Sequence, residues 1–270
     1  MNERMAIGTK FTGYTALSST TAVLLGGAAL ELPDGARNIL AMIPMLTSPA
    51  GNTAGEPLAA EAYLESDDIK VVPFHVLPHP IGSSLLKAVA QVQGDMKGVL
   101  YPVNCPCKGG EQIKCYGKGL FNHTIEPYMG ILLIYSNTPP SKSQCYAKLG
   151  TFTNTGTAAA RVTGSNITVI GGRRLKEIFG MAVGTTVAAL KGLAGHIDLS
   201  SEGFDPAWTL HLPLNPASGQ VDTNIQEAIA GVSRLQVDIA MKDKSIVNDG
   251  FTLAVAVTTT GNFIAGVLYN

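Results

Sequence analysis

Four cysteines have the most distinctive chemistry in this chain. Cys105, Cys107 and Cys115 lie within one short stretch, and Cys145 follows further on. Thiolates bind zinc or pair into disulfides, but the spacing C-x-C-x7-C differs from the paired C-x2-C pattern of common zinc sites. A turn at Gly109-Gly110 could still fold Cys115 back toward the other two. Three possibilities therefore stay open: one or two disulfides, buried free thiols, or a structural zinc site formed by these four cysteines.

The histidines are weaker candidates for metal binding. His75 and His79 are four residues apart, but the prolines around them exclude a helix. In a strand the two imidazoles would share a face at a separation of roughly 13 Å, which is too far for one metal ion. We expect a structural role for His75, because it lies next to the position that matches His211 in the repeat described below.

Acidic residues cluster twice and could form paired catalytic carboxylates or a calcium loop. These two sets are Glu65 with Asp67 and Asp68, and Asp198 with Glu202 and Asp205. A polar loop before a strand is the interpretation we favour. The chain contains no nucleophile elbow, P-loop or dinucleotide fingerprint, and we predict no catalytic residue and no bound cofactor. Asn122 and Asn166 begin glycosylation sequons, which often occur by chance.

The composition indicates a protein that packs against copies of itself. Of the 270 residues, 46% are hydrophobic and only 14% are charged, against roughly 25% charged in typical soluble domains. A chain this poor in charge lacks the usual means of staying apart from its neighbours. The net charge of -1 provides no field for nucleic acid, so we expect no direct nucleic-acid binding. The longest apolar run, between Glu177 and Lys191, is too short to span a membrane.

Short runs rich in Val, Ile, Leu and Thr make up most of the chain, separated by Gly, Pro, Asn and Asp at intervals of roughly 8–12 residues. This pattern predicts an all-β protein built from β-sandwiches. In LQVDIAM, the alternate residues Leu235, Val237, Ile239 and Met241 would share one face. Helix is scarce, and only SSLLKAVAQV and TNIQEAIAGV have the amphipathic spacing of a short helix.

The chain also contains the same pattern twice. Five blocks of the first half recur in the same order in the second, and they include one of the two helix candidates in each half. Gly35-x-Arg37-x-Ile39 matches Gly171-x-Arg173-x-Leu175, for example, and Tyr128–Ile134 matches Phe251–Val257. We therefore predict sandwiches at 12–137 and 145–270 with a linker at 138–144. The last match implies that the first sandwich carries a cysteine-bearing insertion around 93–120.

Two tandem sandwiches with a short helix in each resemble the double jelly-roll major capsid proteins of tailless icosahedral viruses. The resemblance implies two eight-stranded jelly rolls and a homotrimer whose six sandwiches form a pseudo-hexagonal capsomer. It also implies a place in the virion, assembly in the host cytoplasm, and minor capsid or penton proteins and an internal membrane as possible partners. The alternatives are an S-layer, sheath or tube subunit, and a carbohydrate-binding or hydrolytic β-sandwich protein. The last is disfavoured by one Trp and 6% aromatic residues.

Overall fold

A computed structural model describes most of the chain, with gaps. The described residues are 6–48, 59–67, 74–83, 100–120, 122, 126–154, 160–184, 192–218, 232–242, 244–254 and 261–270. Strands dominate these residues, and they form four sheets.

The strands up to residue 136 form two sheets. Sheet 1 contains β1 (Ile7–Phe11), β2 (Thr15–Ala16), β5 (Asn38–Ser48), β8 (His79–Ser83), β9 (Tyr101–Pro106) and β11 (Tyr128–Ser136). Sheet 2 contains β3 (Val23–Leu24), β4 (Leu30–Glu31), β6 (Ala60–Glu65), β7 (His75–Val76) and β10 (Gln112–Gly119). Sheet 1 runs β1-β11-β5, with β9 beside one end of β5 and β8 beside the other. Sheet 2 runs β3-β10-β6-β7, and β4 also pairs with β10.

The strands from residue 146 form the other two sheets. Sheet 3 contains β12 (Tyr146–Asn154), β15 (Arg173–Gly184), β17 (Phe204–Asp205), β19 (Ser233–Met241) and β21 (Gly261–Tyr269), in the order β12-β21-β15-β19-β17. Sheet 4 contains β13 (Ala160–Thr163), β14 (Ile167–Thr168), β16 (Gly192–Ser200), β18 (Thr209–Ser218) and β20 (Ser245–Ala254). Its order is β13-β20-β16-β18, with β14 also beside β20.

The two halves have the same strand order, which is that of a jelly roll. The path β1-β11-β5-β9 corresponds to β12-β21-β15-β19, and β3-β10-β6-β7 corresponds to β13-β20-β16-β18. In each half the last strand lies between the first strand and the first long strand after it. The chain crosses repeatedly between the two sheets of each half, and each half is a double-layered sandwich. The predicted all-β class with two tandem jelly rolls is confirmed.

Residue alternation explains how these strands form sandwiches. In β10, Ile113, Cys115 and Gly117 point inward, while Lys114 and Tyr116 lie on the outer face. The inward residues of the first half form one apolar core, and those of the second half form another. The first core also includes Phe179, Met181 and Ile264 from the second half. Burying these side chains in a shared core holds the two jelly rolls together.

An ion pair lies where the jelly rolls meet. Arg234 of β19 donates to both carboxylate oxygens of Glu177 of β15, at 2.9 Å for the Nη2–Oε2 contact. The same guanidinium reaches the first half, where it donates to the Leu100 carbonyl oxygen at 3.2 Å. It also stacks over Tyr101, with its central carbon 4.5 Å from the ring centroid. Tyr101 in turn meets the ring of Phe179 edge to face, at 5.4 Å between centroids.

Two sequence predictions about helices and insertions need correction. The described residues contain no α-helix, only a 3-10 turn at Leu25–Gly27, so the helix expected in each half is not borne out. Nearly all of both helix candidates lies outside the described residues, and Ser83, one of the proposed caps, ends strand β8. The amphipathic spacing alone could not establish a helix there.

The match of Tyr128–Ile134 with Phe251–Val257 is also wrong. The first segment lies in β11, whose counterpart is β21, whereas Phe251 lies in β20, the counterpart of β10. Central strands share apolar character, so a short match cannot distinguish neighbouring ones. The insertion predicted around 93–120 rested on this match. Its described part, 100–120, contains β9 and β10, which have counterparts in the second half. The first sandwich also begins before residue 12, because β1 pairs with β11.

Candidate functional site

The outer faces of sheets 2 and 4 carry two polar clusters at equivalent positions. We define the first polar cluster as Glu61, Tyr63, His75, Tyr116 and Lys118, and the second polar cluster as Arg161, His196, Asp198, His211 and Asp249. Tyr63 lies opposite His75 and Tyr116 in the strand register, as Asp198 lies opposite His211 and Asp249. By the same register Glu61 occupies the place of His196.

Strand alternation positions the second polar cluster. In β16, Ile197 and Leu199 are fully buried in the core, so His196 and Asp198 point to the other face. His211 lies directly across from Asp198 on β18, and Asp249 lies across from it on β20. Although Asp198 is on an outer face, only 4% of its side chain is exposed, because its neighbours cover it.

Asp198 is the centre of the second polar cluster. Its Oδ1 accepts from His211 Nδ1 at 2.6 Å and lies 3.3 Å from His196 Nε2. Its Oδ2 is 3.2 Å from Arg161 Nη1. The other terminal nitrogen of Arg161 donates to Asp249 Oδ2 at 3.1 Å. The second carboxylate oxygen of Asp249 is buried and has no hydrogen-bond partner among the described residues.

The first polar cluster has different chemistry at the same place. Glu61 Oε1 accepts a hydrogen bond from His75 Nδ1, and Glu61 Oε2 lies 2.7 Å from the Lys118 ammonium. Burial raises the pKa of Glu61, but the hydrogen bonds from His75 and Lys118 outweigh that effect and hold the pKa below its usual value. The ring of Tyr63 stacks on His75 at 4.8 Å and on Tyr116 at 5.0 Å. This cluster is a satisfied ion-pair and stacking arrangement.

Metal-binding geometry distinguishes the two clusters. His196, Asp198 and His211 each offer a ligand atom, and these atoms lie within 4.8 Å of one another. Among the residues that the structure describes, they are the one set of three or more His, Cys, Asp or Glu side chains whose ligand atoms lie this close together, and the set contains no cysteine. This group was not among the sites expected from the sequence, although the pattern His-x-Asp on one strand puts both side chains on one face.

The cysteines are buried free thiols in the first core. Cys105 lies on β9 and Cys115 on β10, and burial raises the pKa of each thiol to about 12. Burial raises the pKa of Cys107 to about 11, and it also raises the pKa of Cys145. A neutral buried thiol is a poor nucleophile. The zinc site of the four cysteines stays a prediction.

The remaining candidates of the sequence analysis do not come together into one site. His75 belongs to the first polar cluster and occupies the position equivalent to His211, one residue from the position that the sequence offset gave, and the side chain of His79 is outside the described part. Asp67 is exposed and lies 3.4 Å from Lys114. Asp205 is exposed and pairs with Lys242 at 2.8 Å. Asp198, expected near Asp205, belongs instead to the second polar cluster.

Two further features bear on what the protein contacts, namely the length of its helices and its exposed apolar side chains. Within the ranges that the structure describes, there is no helix long and apolar enough to cross a membrane. Exposed apolar side chains occur along the first strand and the residues that follow it: Ile7 is 56% exposed, Phe11 40% and Tyr14 48%. Strand β1 is at the end of its sheet and pairs with β11.

No protein-family model matches the chain, and no curated protein sequence matches it. Three solved structures with partial similarity span nearly all of it. A chain in the atomic structure of Sulfolobus Turreted Icosahedral Virus is 9% identical, with 97% of this chain and 90% of that chain covered and a TM-score of 0.44. Peptide-N(4)-(N-acetyl-beta-D-glucosaminyl) asparagine amidase is 8% identical, with coverages of 98% and 96% and a TM-score of 0.43. The major capsid protein P2 of bacteriophage PM2 is 10% identical, with coverages of 96% and 97% and a TM-score of 0.34. At these identities and TM-scores, none of the three assigns the chain to a family.

Proposed function

We propose that the chain is a non-enzymatic structural protein, the major capsid protein of an icosahedral viral shell. The observation that carries the proposal is the pair of jelly rolls with one strand order in a single chain. Duplication followed by divergence gives two similar but non-identical blocks, which three chains could arrange as a pseudo-hexagon. The shared core around Phe179 and Ile264 supports a fixed geometry between the blocks, as a tile in a shell requires.

The chain's surface supports self-association. Only 14% of the residues are charged, so charge does little to keep copies apart. The edge strand β1 exposes Ile7 and Phe11, and within the described part of the chain its outer edge forms no ladder. An open edge with apolar side chains is a surface that another chain can pair with.

On this proposal the protein forms homotrimeric capsomers in the virion and is assembled in the host cytoplasm. Neighbouring capsomers are its main partners, and minor capsid or penton proteins and an internal viral membrane are further ones. The division at 138–144 into two jelly-roll domains is part of the same proposal.

Light scattering after size-exclusion chromatography, together with electron microscopy, tests the proposal. We expect a trimer or a larger species and closed shells or hexagonal tiles. A strictly monomeric species at high concentration would contradict it. Open filaments or continuous sheets would instead favour a surface-layer, sheath or tube subunit.

A paired variant tests whether the β1 edge is a contact between copies. The double variant Ile7→Lys/Phe11→Lys places charge on the edge strand at two residues outside the core. We therefore expect its circular dichroism spectrum to match that of the unmodified chain, and its trimer to dissociate more easily. The control is Ile170→Lys, at an apolar residue that is 40% exposed in the loop between β14 and β15. If both proteins assemble like the unmodified chain, β1 is not the contact.

A further inference from the structure

Three groups that commonly bind transition metals converge in the second polar cluster. They are two imidazoles and one carboxylate, from two neighbouring strands of sheet 4. We propose that His196, Asp198 and His211 form a binding site for a divalent transition metal, with Zn²⁺ as the ion that fits best. This site is independent of the capsid proposal.

Two of the three distances between ligand atoms require little rearrangement, and all three ligand atoms lie within 4.8 Å of one another. Zinc binds imidazole nitrogen and carboxylate oxygen at about 2.0–2.2 Å, so neighbouring ligand atoms of a tetrahedral site are about 3.4 Å apart. His196 Nε2 and Asp198 Oδ1 are already 3.3 Å apart. His211 Nδ1 is at 2.6 Å from the same oxygen and must move outward by less than an ångström. The side chain of His211 is 64% exposed and is free to make that adjustment.

The charges of the cluster favour a cation. Asp198 and Asp249 are cross-strand neighbours, and one guanidinium, that of Arg161, faces both carboxylates. With neutral imidazoles the group has a formal charge of -1, and Asp249 Oδ1 is buried without a partner in the described part. A bound divalent ion would compensate this charge, and buried carboxylates are otherwise costly.

Arg161 also has a positioning effect. It binds Oδ2 of Asp198, which leaves Oδ1 directed between the two imidazoles. Metal-binding carboxylates are commonly held by such an outer hydrogen-bond partner. A site with two nitrogen ligands and one oxygen ligand is typical of zinc and its neighbours in the first transition row rather than of Mg²⁺ or Ca²⁺, which prefer oxygen alone. Three protein ligands leave one position of a tetrahedron open to solvent.

The first polar cluster provides an internal comparison. At the positions of His196, Asp198 and His211, the first polar cluster has Glu61, Tyr63 and His75. One imidazole is therefore replaced by a carboxylate, and the central carboxylate is replaced by a phenol ring. Lys118 also places an ammonium 2.7 Å from Glu61, so with a neutral imidazole the first polar cluster has a formal charge of zero and leaves no negative charge for a metal ion to compensate. We therefore expect one metal site per chain, in the second jelly roll only.

Equilibrium dialysis of the chelator-treated full chain against Zn²⁺ tests the site, with Co²⁺ absorption as a second probe. We expect saturable binding of one Zn²⁺ per chain. Bound Co²⁺ should show the visible absorption that is typical of a metal ion with four or five ligands. His196→Ala and His211→Ala should each weaken Zn²⁺ binding by about tenfold or more. His75→Ala is the matched control and should bind like the unmodified protein. Zn²⁺ should raise the Tm of the unmodified protein and of the control, but not that of the double variant His196→Ala/His211→Ala.

Several results would overturn the proposal. One is the absence of saturable Zn²⁺ binding to the unmodified chain. Another is unchanged stoichiometry and affinity in the double variant, whose folding is checked by circular dichroism. If a Cys105→Ser/Cys115→Ser variant loses the ion while the double histidine variant keeps it, the metal is bound by the cysteines instead. Should the alanine variants fail to fold, His196→Gln and His211→Gln give the same test with closer side-chain size.

Discussion

Replacing Arg234 by Met would leave a carboxylate buried between the two jelly rolls without a cation beside it. The side chain of Glu177 is 1% exposed and that of Arg234 is 15% exposed. After the change, Gln236, which donates a hydrogen bond to Glu177 at 2.6 Å, would remain as a side-chain donor to this carboxylate. The contacts of Arg234 with the Leu100 carbonyl and the Tyr101 ring would be lost as well.

The burial of the pair determines the expected magnitude. Exposed ion pairs contribute little, but removing one partner of a buried pair typically costs about 3–5 kcal/mol, because the other charge stays in a poorly solvated place. We expect a decrease of that size in the free energy of unfolding. Since Arg234 contacts both halves, the decrease should appear in the transition that separates the jelly rolls. The double variant Arg234→Met/Glu177→Leu removes both charges and should regain most of the loss.

Urea unfolding followed by far-ultraviolet circular dichroism is the assay, with each resolved transition fitted separately. Lys242→Met is the matched control, because its partner Asp205 lies 2.8 Å away and both side chains are more than half exposed. We expect no measurable change for the control. The reasoning is refuted if Arg234→Met costs less than about 1 kcal/mol, the level of an exposed pair, or if the double variant is no more stable than the single one.

Three other outcomes are expected. In the native protein all four cysteines should resist alkylation at pH 8, since burial raises their pKa values, and four thiols should react in denaturant without reductant. Asn248→Leu should raise stability by about 1–3 kcal/mol in urea unfolding, because Asn248 is fully buried and neither polar atom of its amide has a partner in the described structure. Glu61→Gln should flatten the acid limb of a stability profile. The pKa of Glu61 is lower folded than its ordinary value of 4.5, so its contribution is present above about that pH and is lost as the pH falls through the folded value.

Each of these three predictions would be contradicted by a specific result. Fewer than four reactive thiols in denaturant would indicate a disulfide, and rapid native alkylation would mean that the cysteines are accessible. A less stable Asn248→Leu protein would mean that the amide is hydrogen-bonded in solution, for example to an internal water. If Glu61→Gln leaves the pH profile between 2 and 5 unchanged, the contacts with His75 and Lys118 contribute nothing to folding.

The alternating pattern of the sequence was enough to predict the strands, but not how deeply each side chain is buried. In β19, Ile239 and Met241 are buried as expected, whereas Leu235 of the same predicted face is 41% exposed. Leu235 still lies opposite Ile178, which is buried in the second core, so the face itself is as predicted. In the described part of the sheet, however, β17 covers the outer edge of β19 only at Ala240 and Met241, and the extent of a neighbouring strand is something that no local pattern encodes.

The candidate site was predictable only in part. Cys105 and Cys115 attracted attention by their type, yet they lie on ordinary strands whose inward residues fill the core. The second polar cluster combines His196 and Asp198 with His211, and this proximity depends on the register between β16 and β18. The local half of that signal is present in the sequence, but the partner across the sheet can be chosen only when the strand pairing is known.

The position of the last strand in each jelly roll has a consequence for synthesis. Strand β11 pairs with β1 on one side and β5 on the other, and β21 likewise lies between β12 and β15. On the ribosome, the gap between β1 and β5 therefore stays open until residues 128–136 emerge, and the gap between β12 and β15 stays open until residues 261–269 emerge. Such long-range closure makes folding slow and leaves an unpaired sheet interior exposed to other nascent chains. We expect ribosome-bound chains in which residue 136 has emerged but residues 261–269 have not to have a protease-resistant first jelly roll and a protease-sensitive second one.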